Sequence, residues 1–181
     1  MDRVIHEQFI SLPTTIYNGT LLTSLGVWDV APLYLTGAIT VSIAVNHMLK
    51  SYVKQARPSG CGIRVGRKCF GCGIRFEGKP STSFGWPSGH AQTMATIAMF
   101  STLWILGRSD DEPKSRIGNL IVAQRSVSIS IIWALAVAVC AQRVVSKCHS
   151  INQVVFGTLI GSLMGYASWR FAHAVDPSRF P

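Results

Sequence analysis

The chain has 181 residues, 48% of them hydrophobic and only 14% charged, with a formal net charge of +9. Soluble domains carry about 25% charged residues; this deficit, with a mean hydropathy of +0.31 and apolar residues in long runs, excludes an ordinary soluble domain and favours one membrane-embedded domain over residues 1–181. The basic residues cluster between the apolar runs, chiefly from Lys50 to Lys79, without the aromatic-basic platform of a nucleic-acid-binding protein, so no nucleic-acid partner is expected.

In chain order, residues 9–28 come first. Phe9, Leu12, Ile16, Leu21, Leu22, Leu25 and Trp28 form a partly amphipathic pattern, interrupted by Pro13, Asn18 and Gly19. The pattern predicts an interfacial helix or re-entrant piece in preference to a further span. Four apolar segments then read as spans, at about 30–49, 90–107, 127–142 and 154–171. The fold class expected is therefore all-α, a polytopic membrane helical bundle with about four transmembrane helices plus the N-terminal interfacial helix. Gly157, Gly161 and Gly165, spaced by four in the last span, predict a close helix–helix approach. The polar stretch from Ser109 to Arg125 reads as a solvated connection.

Alternation of four spans has a chemical consequence. The end of the first, the start of the second, the end of the third and the start of the fourth share one membrane face. Lys50 with Arg57, Ser88 with His90, Arg143 and His149 stand at those points. Three cations, a hydroxyl and two histidines on one rim exceed what snorkelling needs. Such a set suits phosphoryl transfer. Lys50, Arg57 and Arg143 can clamp the equatorial oxygens, with arginine fitted to bidentate phosphate contacts. Ser88 and the Gly89 N–H can add donors where a helix begins. Two histidines can divide attack on phosphorus from protonation of the leaving oxygen.

At these residues the sequence resembles the type 2 phosphatidic acid phosphatase superfamily. Lys50 to Pro58 matches KxxxxxxRP, Pro87-Ser88-Gly89-His90 matches PSGH, and Arg143 to His149 matches the RxxxxxH core of a third motif usually written SRxxxxxHxxxD. The resemblance implies a metal-independent, cofactor-free hydrolase acting on a lipid phosphate in the bilayer. It implies that His149 forms a phosphohistidine and that His90 is the general acid. Lys50, Arg57, Ser88, Gly89 and Arg143 would bind the phosphoryl group, with no metal ligand.

Two positions depart from the family pattern. Gln142 replaces the serine before the arginine, and Gln153 stands where the family has Asp. A glutamine oxygen can still accept the imidazole N–H but brings no charge. His149-x-x-x-Gln153, with His90-Ala91-Gln92, is similar to the dolichyl-diphosphatase branch, whose diphosphate substrate offers a better leaving group than an alkoxide. The expected activity is hydrolysis of a polyprenyl diphosphate to the monophosphate. The alternatives are a phosphatidate or other lipid-monophosphate phosphatase, and a catalytically weakened scaffold of the same fold.

Cys61, Cys69 and Cys72 fall between the first two motifs and are compatible with unpaired thiols, a disulfide or a structural metal. Cys148 and Cys140 read as packing residues. The excess of Lys and Arg on the motif rim would place it in the cytoplasm, whereas the resemblance implies a lumenal or extracytoplasmic site in the endoplasmic reticulum or another endomembrane. The second is preferred, because Lys50, Arg57 and Arg143 have a catalytic reason to be there.

Overall fold

A computed structural model of the protein describes residues 3–27, 30–58, 84–108 and 124–180. Five helices account for most of them: α1 (Arg3–Val27), α2 (Val30–Val53), α3 (Gly89–Gly107), α4 (Arg125–Val145) and α5 (Ile151–Val175). Cys61, Cys69, Cys72 and most of the 109–125 connection lie outside the described residues.

The four expected spans coincide with α2 to α5. By length and apolarity alone, α2 and α4 are the two helices that qualify as membrane-crossing among the described residues. Helix α3 is instead the centre of the bundle, with Ala91 to Ala98 and Phe100 buried. It packs most extensively on α5, and against α2 and α4 as well. The glycine spacing explains the α3–α5 pairing. A Cβ at Gly157, Gly161 or Gly165 would stand 2.6, 2.1 or 2.6 Å from the carbonyl oxygen of Ser88, Gln92 or Thr96, so only glycine lets the two backbones come so close. Elsewhere α5 turns Leu159, Leu163 and Phe171 outward, at 60%, 66% and 65% exposure, as a helix does when lipid is its solvent.

The amphipathic pattern of residues 9–28 forms a helix, and Pro13, Asn18 and Gly19 do not break it. Helix α1 is uninterrupted, with Pro13 inside it. It lies antiparallel on α2, since Thr36 Oγ1 donates to Thr20 Oγ1 (3.0 Å) while Tyr17 and Thr40 hydroxyls meet at 3.3 Å. The interior proline and glycine cost about 3 and 1 kcal/mol against alanine. Leu12, Ile16 and Tyr17 offset this by packing on the cluster of Ile39, Met94, Ile97 and Val139. Thr20 and Thr23 hydroxyls bond back to the Tyr17 and Gly19 carbonyls.

A buried polar ladder joins α2 to α3. Asn46 Nδ2 donates to Gln92 Oε1 (2.8 Å) and to Pro87 O (3.3 Å), and Gln92 Nε2 donates to Ser42 O (2.7 Å). Ser42 Oγ meets Thr96 Oγ1 at 3.0 Å, and Thr96 Oγ1 reaches Gly161 O on α5 at 3.1 Å. All four side chains are buried, and the chain of bonds holds the Pro87–Ser88 turn over the bundle.

Candidate active site

Local structure at four helix ends brings the motif residues together. After α2, Lys54 adopts φ 49° and its N–H bonds Lys50 O, which turns Gln55, Ala56 and Arg57 back over the bundle. Before α3, Ser88 is extended and its N–H donates to Gln153 O at 2.9 Å. At the end of α4, the Arg143 carbonyl accepts both Cys148 N–H (3.1 Å) and His149 N–H (3.3 Å), with Lys147 at φ 52° in the turn. Ser150 then caps α5 in a reciprocal box. Gln153 N–H bonds Ser150 Oγ, and Ser150 N–H bonds Gln153 Oε1, both at 3.3 Å.

His149 is 3% exposed and bonded at both ring nitrogens. Nδ1 lies 2.9 Å from Gly85 O and 3.2 Å from Gln153 Oε1. A carbonyl can only accept, so the proton is assigned to Nδ1. Nε2 is thereby left with its lone pair directed at Arg57 Nη1, 3.2 Å away, which also donates to Cys148 O at 3.1 Å. Burial first, then the charges of Arg57, Arg143 and Lys50, push the imidazole pKa down to about 2, against a small opposing effect of the Gln153 bond. Burial and these charges thus hold the ring neutral, with the Nε2 lone pair unprotonated.

The remaining expected residues occupy the same rim. Arg143 is 1% exposed in the last turn of α4. A Cβ placed on Gly89 would come 3.5 Å from Lys50 Nζ, which locates the ammonium at the start of α3. Ser88 Oγ is fully buried, makes no capping bond, and has no hydrogen-bond partner among the described residues. A buried hydroxyl without a partner costs free energy, and an anion at the α3 N-terminus would supply one. His90 follows, half-buried, in the first turn of α3. Among the described residues no cluster of three or more His, Cys, Asp or Glu could hold a metal ion. Cys148 is fully buried with its Sγ on Ser146 O (3.4 Å), the packing position expected of it.

Sequence reasoning missed what surrounds Gln153. Its Nε2 donates to Gln55 Oε1 (3.2 Å) and Ala56 O (2.9 Å), while Gly85 N–H donates to Gln55 O (2.7 Å). The Ser150-x-x-Gln153 spacing was a legible capping signal; Gln55 and Gly85 carried none. Beside the site, an apolar groove of about 270 Å³ runs between α4 and α5 over α3, lined by Ala91, Ala95, Ala136, Val144, Ile151 and Val155 among others. Its upper end lies two residues from His149.

These features define a helical bundle with a cationic cup around a neutral histidine. Residues 31–176 match the PAP2 superfamily, and the chain belongs to it. The chain is 27% identical over 146 residues to dolichyldiphosphatase 1 of Homo sapiens, covering 80% of this chain and 54% of that protein. It is 27% identical over 145 residues to lipid phosphate phosphatase gamma of Arabidopsis thaliana, covering 76% and 51%. The chain thus spans about half the length of these curated relatives. Its fold is similar to the crystal structure of a transmembrane PAP2 type phosphatidylglycerolphosphate phosphatase from Bacillus subtilis, with TM-score 0.66 and 16% identity, covering 99% of this chain and 82% of that one.

Proposed function

We propose that the chain is an integral-membrane lipid phosphatase that converts a polyprenyl diphosphate to the monophosphate through a phosphohistidine at His149. The observation that carries this reading is the His149 ring, with Nδ1–H held by Gly85 O and the Nε2 lone pair facing Arg57. In the forward step Nε2 attacks the terminal phosphorus and the bond to the bridging oxygen breaks. His90 gives its proton to the departing monophosphate. Water, deprotonated by His90, then attacks the phosphohistidine, frees inorganic phosphate and restores Nε2. Lys50, Arg57 and Arg143, with Ser88 Oγ and the Gly89 N–H, hold the equatorial oxygens as charge redistributes.

Two features support a diphosphate. Gln153 gives the charged phosphohistidine ring no countercharge, which suits the better leaving group, and one matched relative is named a dolichyldiphosphatase. The groove between α4 and α5 suits an apolar chain entering beside the reacting phosphorus. A second reading, a lipid-monophosphate phosphatase, is favoured by the relative named for lipid phosphates. Purified protein in detergent, given farnesyl diphosphate and dioleoyl phosphatidate with and without chelator, separates the two. Faster release from phosphatidate overturns the diphosphate preference, and chelator sensitivity counts against the mechanism. His149→Ala is expected to abolish phosphate release; a variant as active as wild type removes His149 as nucleophile. The side of the membrane proposed for the site is lumenal.

A further inference from the structure

Nothing in the motif pattern gives residue 85 a task, yet it touches the His149 ring and the Gln153 amide at once. Its carbonyl accepts the Nδ1 proton at 2.9 Å. Its missing side chain matters as much. A Cβ there would stand 2.6 Å from Gln153 Nε2, 2.8 Å from Oε1 and 2.9 Å from Cδ. The amide that fills this space is oriented from all sides. Gln55 Oε1 and Ala56 O can only accept, which draws the NH2 to them, and the Ser150 N–H can only donate, which draws Oε1 towards α5 and the ring. Oε1 therefore faces Nδ1 at 3.2 Å, and both acceptors at Nδ1 specify the same tautomer.

We infer that Gly85 is a positioning residue of the nucleophile, which fixes the His149 tautomer directly through its carbonyl and indirectly by leaving room for the Gln153 amide. The inference rests on the reading of His149 as nucleophile. An Nε2–H tautomer would turn a proton, in place of a lone pair, towards the phosphorus and towards Arg57. Because the three atoms nearest a methyl at position 85 all belong to the end of the flexible Gln153 side chain, it is the amide that gives way first.

The test uses the whole chain in detergent with farnesyl diphosphate as the probe. Gly85→Ala is expected to lower kcat about tenfold, the low end of the loss seen when the outer partner of a metal-ligating histidine is removed, with KM and melting temperature little changed. In a Gln153→Ala background, where the space is already empty, Gly85→Ala adds no further loss. Nitrogen-15 NMR of histidine-labelled protein, with the His149 signals assigned by their disappearance in His149→Ala, is expected to give one Nδ1–H form in the wild type and a mixture in Gly85→Ala. An unchanged kcat and tautomer in Gly85→Ala overturn the inference, and so does an equal loss in both backgrounds, which would make the glycine's role independent of Gln153. Turnover surviving in His149→Ala instead sinks the nucleophile reading itself, so the two failures are separable.

Discussion

Replacing Gln153 by Asp restores the residue usual in the family and asks whether this site would be improved by it. The answer follows from what Gln153 holds. Its NH2 donates to Gln55 Oε1 and Ala56 O, and a carboxylate has no proton to give either of them. Two buried or half-buried bonds are lost at about 1 kcal/mol each, so folding stability drops by about 2 kcal/mol. For a chain of this size that lowers the melting temperature by about 4–8 °C. The shorter, charged side chain would also face the carbonyl oxygens of Gly85 and Ala56. In return it would stabilise the charged ring of the intermediate, but the segment that carries Arg57 would be less firmly held. The expected outcome is a kcat on farnesyl diphosphate equal to or below wild type, read as inorganic phosphate released by purified protein, together with the lower melting temperature. A tenfold rise in kcat with no thermal cost would refute the reasoning and mark Gln153 as a defect.

Two further predictions concern protons and packing. The unfolded chain binds a proton at His149 below a pH of about 6.5, whereas the folded site keeps the ring neutral down to about 2. Stability therefore falls as pH drops from about 6.5, by up to about 1.4 kcal/mol per unit from this group. His149→Asn should flatten the fall in melting temperature between pH 6 and 4.5, and an equally steep fall in that variant would mean the folded ring is not neutral. Gly161→Ala places a methyl 2.1 Å from Gln92 O, a backbone atom that cannot swing aside. Overpacking of this kind costs about 1–3 kcal/mol, and an unchanged melting temperature would show that α3 and α5 do not meet there.

The sequence carried the rim of the site further than its interior. Lys50, Arg57, Ser88, His90, Arg143 and His149 were legible as a group because each stands at a helix end, and alternation of spans determines which ends meet. The glycine stripe was legible because spacing by four is a property of one helix. The hold on Gln153 was not, since Gln55 lies 98 residues away and its role depends on which amide atom faces which acceptor. The helix at residues 9–28 was legible, but its continuity was not, for a related reason. Pro13 and Asn18-Gly19 read as breaks by local propensity, whereas packing of Leu12, Ile16 and Tyr17 on the core decides the outcome. The buried Asn46–Gln92–Ser42–Thr96 ladder was equally hidden, because polar residues within an apolar run do not disclose their partners.

The contact of α3 with α5 through Gly157, Gly161 and Gly165 has a mechanical side. His90 is the second residue of α3 and His149 stands just before Ser150, the cap of α5, so the proposed acid and nucleophile are mounted on the same end of one two-helix strut. Peptide carbonyls seated against glycine Cα atoms set the width of that strut, with no side chain between them to change rotamer. On the proposed function, this keeps the spacing of the two histidines independent of the length of the lipid's apolar chain. Helix α4 is tied to that same end, because the Arg143 carbonyl accepts the His149 N–H, while its apolar face lines the groove.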